Sequence, residues 1–180
     1  ATVSPSTLTF TTVNWNSAQT VTVTGINDDI DDGNVNSTTT IAINTGSTAD
    51  SAYDSVSSQT VTVTTTDNDT AGFTIAQSSG STTVAETGST DNFTVVLTSE
   101  PTGNVVFALT DNDTDNTEIS YSPTALTFTA GNWNSAQTVT VTGVDDSDVD
   151  GTITSAITVA VNTGSTADST YDSVSSQTVT

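Results

Sequence analysis

The sequence predicts an all-β protein made of antiparallel β-sandwich modules in tandem, with no helices. Three observations carry that prediction. Threonine is the commonest residue and alternates with Val, Ile, Leu and Phe, a period of two that sends apolar side chains to one face of a strand and hydroxyls to the other. The chain repeats itself at domain length, not at the shorter period of a solenoid. Pro5, Pro101 and Pro123 all fall at loops or strand edges, where a missing backbone donor is tolerated.

The repeat needs no gap. Residues 14–25 recur unchanged as residues 132–143, an offset of 118, and Ser4-Pro5 and Tyr53 recur as Ser122-Pro123 and Tyr171. Between residues 44 and 62 the only difference from the later copy is Ala52 against Thr170. Residues 63–180 therefore make one full period, and residues 1–62 match its last 62 positions. The expected division is 1–66, the C-terminal half of a sandwich repeat, and 67–180, one nearly complete repeat. The link between them is the short polar run Asp67-Asn68-Asp69.

Seven strands are expected in the complete module, in order along the chain. The first covers residues 71–86, bent at 78–81, with Phe73, Ile75 and Val84 inward. The second covers 92–98 on Phe93, Val95 and Leu97, and the third 104–110 on Val105, Phe107 and Leu109. The fourth, 118–129, is interrupted at Pro123 and points Leu126 and Phe128 inward. The fifth, 136–142, sets Val139 and Val141 against outward Thr138, Thr140 and Thr142. The sixth, 153–161, carries Ile157, Val159 and Val161 in phase, and the seventh starts at 173. Sheets buried on one face only, seven strands to about 100 residues, fit an immunoglobulin-like sandwich. Trp15 and Trp133 follow the fourth strand and are expected to plug the core or its edge.

Charge narrows the function. The chain has 21 Asp and Glu, no Lys, Arg or His, and a formal charge of −21. Nucleic acid and anionic membrane surfaces are excluded as partners, because both need basic side chains. Without His, Cys or Lys the usual catalytic bases and nucleophiles are missing, so no enzyme is expected. Only 12% of residues are charged, and the alternation argues against disorder.

If consecutive strands alternate in direction, strands one, three, five and seven end at one pole. Glu86 follows strand one, Asp111 and Asp113 (in a loop reaching Asp115) follow strand three, and Asp145, Asp146, Asp148 and Asp150 follow strand five. Strand seven, read from the earlier copy, ends at Asp67 and Asp69, and the earlier copy of the strand-five loop holds Asp28, Asp29, Asp31 and Asp32. The opposite pole, at 98–103, 130–133 and 162–172, is poorer in carboxylates. Such a concentration calls for a counter-charge, and Ca²⁺ takes six to eight oxygen ligands from carboxylates, carbonyls and water. Zn²⁺ is disfavoured without His or Cys, and Mg²⁺ by its preference for retained water. Asp146-x-Asp148-x-Asp150-Gly151 opens like an EF-hand loop, but the twelfth position is Ile157, so it is not one. A cation near Asp67 and Asp69 is expected to stiffen the link to the next module.

Several of these segments together carry a family resemblance. The run Leu126-Thr127-Phe128-Thr129, then Asn132-Trp133-Asn134, Gln137-Thr138-Val139-Thr140-Val141, an acidic loop and the closing Asp67-Asn68-Asp69 resemble Calx-β-type repeats of very large bacterial surface proteins. The resemblance spans essentially the whole chain. It implies a β-sandwich that binds calcium at one pole, with ligands at Glu86, at Asp111 and Asp113, at Asp145, Asp146, Asp148 and Asp150, and at Asp67 and Asp69. The Asp-Gly-Thr-Ala and Asp-Tyr pattern of such repeats is absent, and residues 114–121 stand in its place.

The expected function is an extracellular, calcium-stabilised structural repeat, in the stalk of an adhesin or in a surface filament, secreted and bacterial. The expected partner is the protein itself, module to module. The half module is completed either by a longer chain or by strands of a neighbouring subunit. The alternative is a binding module whose Thr faces order water or ice, or whose Trp133 loop stacks on a glycan or surface receptor.

Overall fold

The computed structural model describes residues 1–113, 118–147, 149 and 151–180. The chain is all-β and antiparallel, and it divides into two compact units. One unit comprises Ala1–Asp28 and Asp32–Asn68, the other Asp29–Asp31 and Asp69–Thr180.

The first unit holds four strands. β1 (Thr2–Ser4) pairs with β2 (Thr22–Thr24), and β3 (Val35–Ile41) pairs with β4 (Gln59–Thr65). These are two separate two-stranded sheets. Pairs of that kind are marginal by themselves.

The second unit holds eight: β5 (Phe73–Gln77), β6 (Thr90–Leu97), β7 (Val105–Asp111), β8 (Ile119–Ser122), β9 (Ala125–Phe128), β10 (Gln137–Gly143), β11 (Ile157–Val161) and β12 (Gln177–Val179). They form two four-stranded sheets, in the orders β5-β6-β10-β8 and β12-β11-β7-β9. The alternating apolar residues of both sheets meet in one core. Phe73, Phe93, Val95, Val139 and Val141 come from the first sheet, and Val105, Phe107, Leu126, Phe128, Ile157 and Val159 from the second. Ring contacts tie the layers. Phe73 and Phe107 lie 4.7 Å apart between centroids across the two sheets, and Phe107 and Phe128 meet edge-on at 5.9 Å.

The expected fourth strand is two strands. It breaks at Ser122–Thr124, around a cis Ser122-Pro123 bond, and changes sheets there: β8 pairs with β10, and β9 pairs with β7. The apolar positions shift phase at the break, from Ile119 and Tyr121 to Leu126 and Phe128, as the partner sheet changes. The expected first strand stops at Gln77, where residues 78–80 make a 3₁₀ turn with Ser79 at φ 53° and Gly80 at φ 84°. Beyond the turn, the Thr83 N–H goes to the Asp91 carboxylate rather than to a ladder. Short 3₁₀ turns also occupy Ser51–Tyr53 and Ser169–Ser173. The expected sixth strand shortens to β11, and its lost first residues, 153–156, correspond to the start of β3. In the first unit that stretch pairs with β4 as far as Thr65, whereas β12 ends at Val179.

Candidate functional site

Two ends of the second unit differ in chemistry. At one end, the Ala167 N–H donates to the Asn104 carbonyl at 2.7 Å, and the Leu97 N–H donates to the Trp133 carbonyl at 3.2 Å. Asp168 is buried here. Its Oδ2 accepts from the Thr102 N–H at 2.7 Å and the Thr102 hydroxyl at 3.0 Å, and its Oδ1 accepts from the Thr170 N–H at 3.0 Å and the Thr170 hydroxyl at 2.6 Å. Burial of the carboxyl opposes ionisation, but these four donors outweigh it and hold Asp168 below the usual carboxylate range. Tyr171 is buried beside it. Its hydroxyl donates to the Ser99 carbonyl at 2.7 Å and lies 2.9 Å from Ser99 Oγ, and desolvation raises its pKa. Trp133 packs partly buried against the core, as a plug.

At the other end the loops after β5, β7 and β10 converge. Gly143 ends β10 so close to the 85–86 backbone that a Cβ there would overlap the Ala85 carbonyl, and its N–H donates to Ser89 O at 3.0 Å. The Val144 N–H donates to the Glu118 carbonyl at 2.9 Å. The Asn112 N–H donates to Ala156 O at 3.2 Å, and Asn112 Oδ1 accepts in return from the Ala156 N–H at 2.7 Å. A cleft of about 650 Å³ opens at this end, lined by Glu86 and Glu118 on its polar side and by Ile119, Val141, Ile153 and Ile157 on its apolar side.

The predicted ligands are distributed unevenly. Glu86 lines the cleft half-buried, Asp145 is exposed and Asp146 half-buried just beyond β10. Asp111 ends β7 beside Tyr121. Burial first, and then a hydrogen bond and the negative charge of Asp111, push the Tyr121 hydroxyl up to about 12; that hydroxyl also donates to the Leu109 carbonyl at 3.2 Å. Asp113 is buried, and its Oδ2 accepts from the Glu118 and Ile119 N–H groups, both at 3.0 Å. Asp148 and Asp150 lie outside the described residues, as does Asp115. Asp69 stands before β5, on the strand's opposite end, where the Thr98 hydroxyl donates to Thr70 O at 2.8 Å. Asp29 and Asp31 count with this unit: the Glu100 N–H donates to Asp29 O at 2.6 Å, and the Ala71 N–H to Asp31 Oδ2 at 2.8 Å.

In the first unit, Asp67 meets the acidic loop that also carries Asp28 and Asp32. Its Oδ2 accepts from the Gly33 N–H at 2.7 Å, and its own N–H donates to Asn34 Oδ1 at 2.9 Å. Gly33, at φ 74°, and its counterpart Gly151, at φ 80°, both take the left-handed backbone that glycine adopts without steric cost.

Among the described residues, no group of three or more carboxylates stands close enough to hold a metal. The donor chemistry itself suits a hard cation, since every ionisable side chain at this end other than Tyr121 is a carboxylate and no ammonium or guanidinium competes.

Two acidic residues with definite work, Asp91 and Asp168, were not singled out in the sequence, and Asp113, expected as a ligand, caps backbone N–H groups. Asp91 accepts from the Ser78 hydroxyl and from the Thr83 and Asn92 N–H groups, which lower its pKa in that order. Asp168 and Asp113 act as backbone caps. Asp168-x-Thr170 is the one signal that was available, because Asp accepting from the N–H two residues on is an Asx turn. Glu118 also went unmarked, since it opens a strand instead of sitting in an acidic run.

No protein-family model matches the chain, and no curated protein matches it.

Proposed function

We propose that this chain is a structural repeat of an extracellular bacterial surface protein, of Calx-β type, whose modules are stiffened by Ca²⁺ bound among the carboxylates at one end of each sandwich. The observation that carries the reading is the convergence of the loops after β5, β7 and β10, which brings Glu86, Asp111, Asp113, Asp145 and Asp146 to one end of a protein that has no basic side chain. Carboxylates gathered without a counter-charge destabilise the folded state by mutual repulsion, and a divalent cation reverses the sign of that term. No three of these carboxylates stand close enough to share an ion as they are, so Ca²⁺ would have to draw the Glu86 and Asp145–Asp146 loops inward, with loop carbonyls and water completing the shell. Asp113 would orient the loop through its two backbone contacts. A repeated 118-residue module, joined by a three-residue acidic link, suits a stalk or filament in which one copy of the module adjoins the next.

The binding-module alternative has less support. Thr138 is exposed on β10, as expected of any solvent-facing strand of this composition, but in the complete module Trp133 packs partly buried against the core, which leaves less of its ring for stacking on a glycan.

The test is thermal melting and small-angle scattering of the chain in calcium and in chelator at matched ionic strength. A melting temperature that falls on chelation, together with a broader distance distribution, supports the reading. Identical melting and scattering in the two conditions sink it.

A further inference from the structure

In the second unit the β5–β6 ladder ends on the pair Phe73–Leu97. Beyond it Thr98 makes the last stitches. Its N–H donates to the Gly72 carbonyl at 3.0 Å, and its hydroxyl to the Thr70 carbonyl at 2.8 Å. Two main-chain donors beside these stitches, the Ala71 and Glu100 N–H groups, are not taken up by the ladder. Both residues are half-buried, next to the buried Ser99 and Pro101. Main-chain donors held away from water need acceptors.

The acceptors come from three residues much earlier in the sequence. Asp29–Asp31 belongs to the second unit. The Glu100 N–H donates to the Asp29 carbonyl at 2.6 Å, and the Ala71 N–H to Asp31 Oδ2 at 2.8 Å. Ile30, between them, is half-buried although it stands in a run of carboxylates. The charge of Asp31 also reaches the buried Tyr171 hydroxyl. Burial is the main cause of that group's raised pKa, and the charges of Asp168 and Asp31 add to it. The segment is therefore held by hydrogen bonds and one apolar side chain against the repulsion of a neighbouring carboxylate. No basic side chain exists to hold it by charge.

The internal repeat singles out the same three residues. The acidic loop keeps Gly25, Asp28, Asp32 and Gly33 as Gly143, Asp146, Asp150 and Gly151. Between them, Asp29-Ile30-Asp31 is replaced by Ser147-Asp148-Val149. Val149 stands where Asp31 accepts a hydrogen bond. Its side chain has no acceptor, and it is fully exposed. The loop framework is common to both copies, but only the earlier one carries an acceptor at the third position.

We propose that residues 70–72 and 98–100 form a docking site for an acidic segment of the pattern Asp-aliphatic-Asp, and that Asp29-Ile30-Asp31 is its occupant. The site selects a main-chain carbonyl and, two residues on, a carboxylate oxygen, matched to the Glu100 and Ala71 donors. The proposal does not rest on the calcium reading. It gives Asp29 and Asp31 work that needs no cation.

Residue-resolved amide exchange of the whole chain tests this. Asp31→Leu should speed exchange at Ala71 by about 10-fold or more, while the core strands β6 and β11 stay slow. Asp31→Asn keeps an acceptor oxygen, and its Ala71 rate should lie nearer the parent than the Leu variant. Asp29→Ser combined with Ile30→Asp and Asp31→Val, which installs the later loop's residues, should release both Ala71 and Glu100. Chelator should change none of these rates. An Ala71 rate unmoved by Asp31→Leu overturns the proposal, and so does continued protection of Ala71 and Glu100 in the triple variant. Acceleration spread evenly over β5–β12 also overturns it, because residues 29–31 would then support the fold at large and fill no site. Faster exchange of the parent at Ala71 and Glu100 on chelation would assign the contact to a metal, overturning the docking site while leaving the calcium reading intact.

Discussion

The repeat supplies an internal control for core energetics: the same residue in the same local sequence, once buried and once exposed. Phe128→Ala removes a ring that is fully enclosed and meets Phe107 edge-on. Truncating a buried Phe costs about 3–5 kcal/mol from lost transfer energy plus the cavity left behind. Against a domain stability of about 5–15 kcal/mol that is a large fraction. For a unit of this size it should lower the melting temperature by at least about 10 °C. Phe10→Ala, at the matched position, removes a half-exposed ring with few neighbours and should change stability by no more than about 0.5 kcal/mol. The assay is thermal unfolding followed by circular dichroism, on both variants and the parent. Equal shifts for the two substitutions would refute the reasoning, because they would mean that β5–β7 do not distinguish the two copies.

Other expectations follow from single contacts. Gly143→Ala should destabilise the second unit by about 1–3 kcal/mol in denaturant unfolding, since a Cβ would strike the Ala85 backbone; Gly25→Ala, which meets only the Thr65 side chain, should be nearly neutral. Asp168→Asn should cost about 1.5–3 kcal/mol at neutral pH, because an amide nitrogen replaces an oxygen that accepts two hydrogen bonds. The folded-state pKa of Asp168 is depressed, so its stabilisation is present above the unfolded value of 3.8 and disappears as pH falls below that value; the variant should lack this acid loss in pH-dependent melting. Tyr121 runs the other way. Its folded pKa is raised to about 12, so its neutral form stabilises the fold fully below pH 10, and stability should fall as pH climbs from 10 towards 12. Tyr121→Phe should flatten that alkaline decline.

The strands were legible because apolar–threonine alternation reports one-sided burial directly. β6, β7 and β10 begin and end within two residues of expectation. The fourth strand was read with its interruption at Pro123 but without its change of sheet. The apolar positions shift phase there, from Ile119 and Tyr121 to Leu126 and Phe128, which marks a break, but nothing in Tyr121-Ser122-Pro123-Thr124 names β7 as the new partner. The tail of the first strand failed differently. Residues 81–86 keep strand-like composition, but Asp91 takes the Thr83 N–H that a ladder would need. Carboxylates were the least legible residues. Composition marks Asp113, Asp145 and Asp168 alike, whereas the fold makes the first and third into buried backbone caps and leaves the second exposed. That distinction depends on which N–H groups the neighbouring turns leave unpaired, and such turns are set by tertiary contacts.

The most direct test of the proposed calcium binding is a titration of the chelator-treated chain with Ca²⁺ at 0.15 M NaCl, read by calorimetry and by melting. Extracellular modules bind calcium at roughly 0.1–1 mM. At 10 mM calcium that corresponds to about 1.4–2.7 kcal/mol per site, and a rise in melting temperature of about 5–15 °C for a unit of this size. The prediction is saturable binding with that rise, weaker with Mg²⁺ and reduced by Glu86→Gln together with Asp145→Asn. A small, unsaturable rise reproduced by NaCl of equal ionic strength would contradict it, reducing the acidic end to screened repulsion.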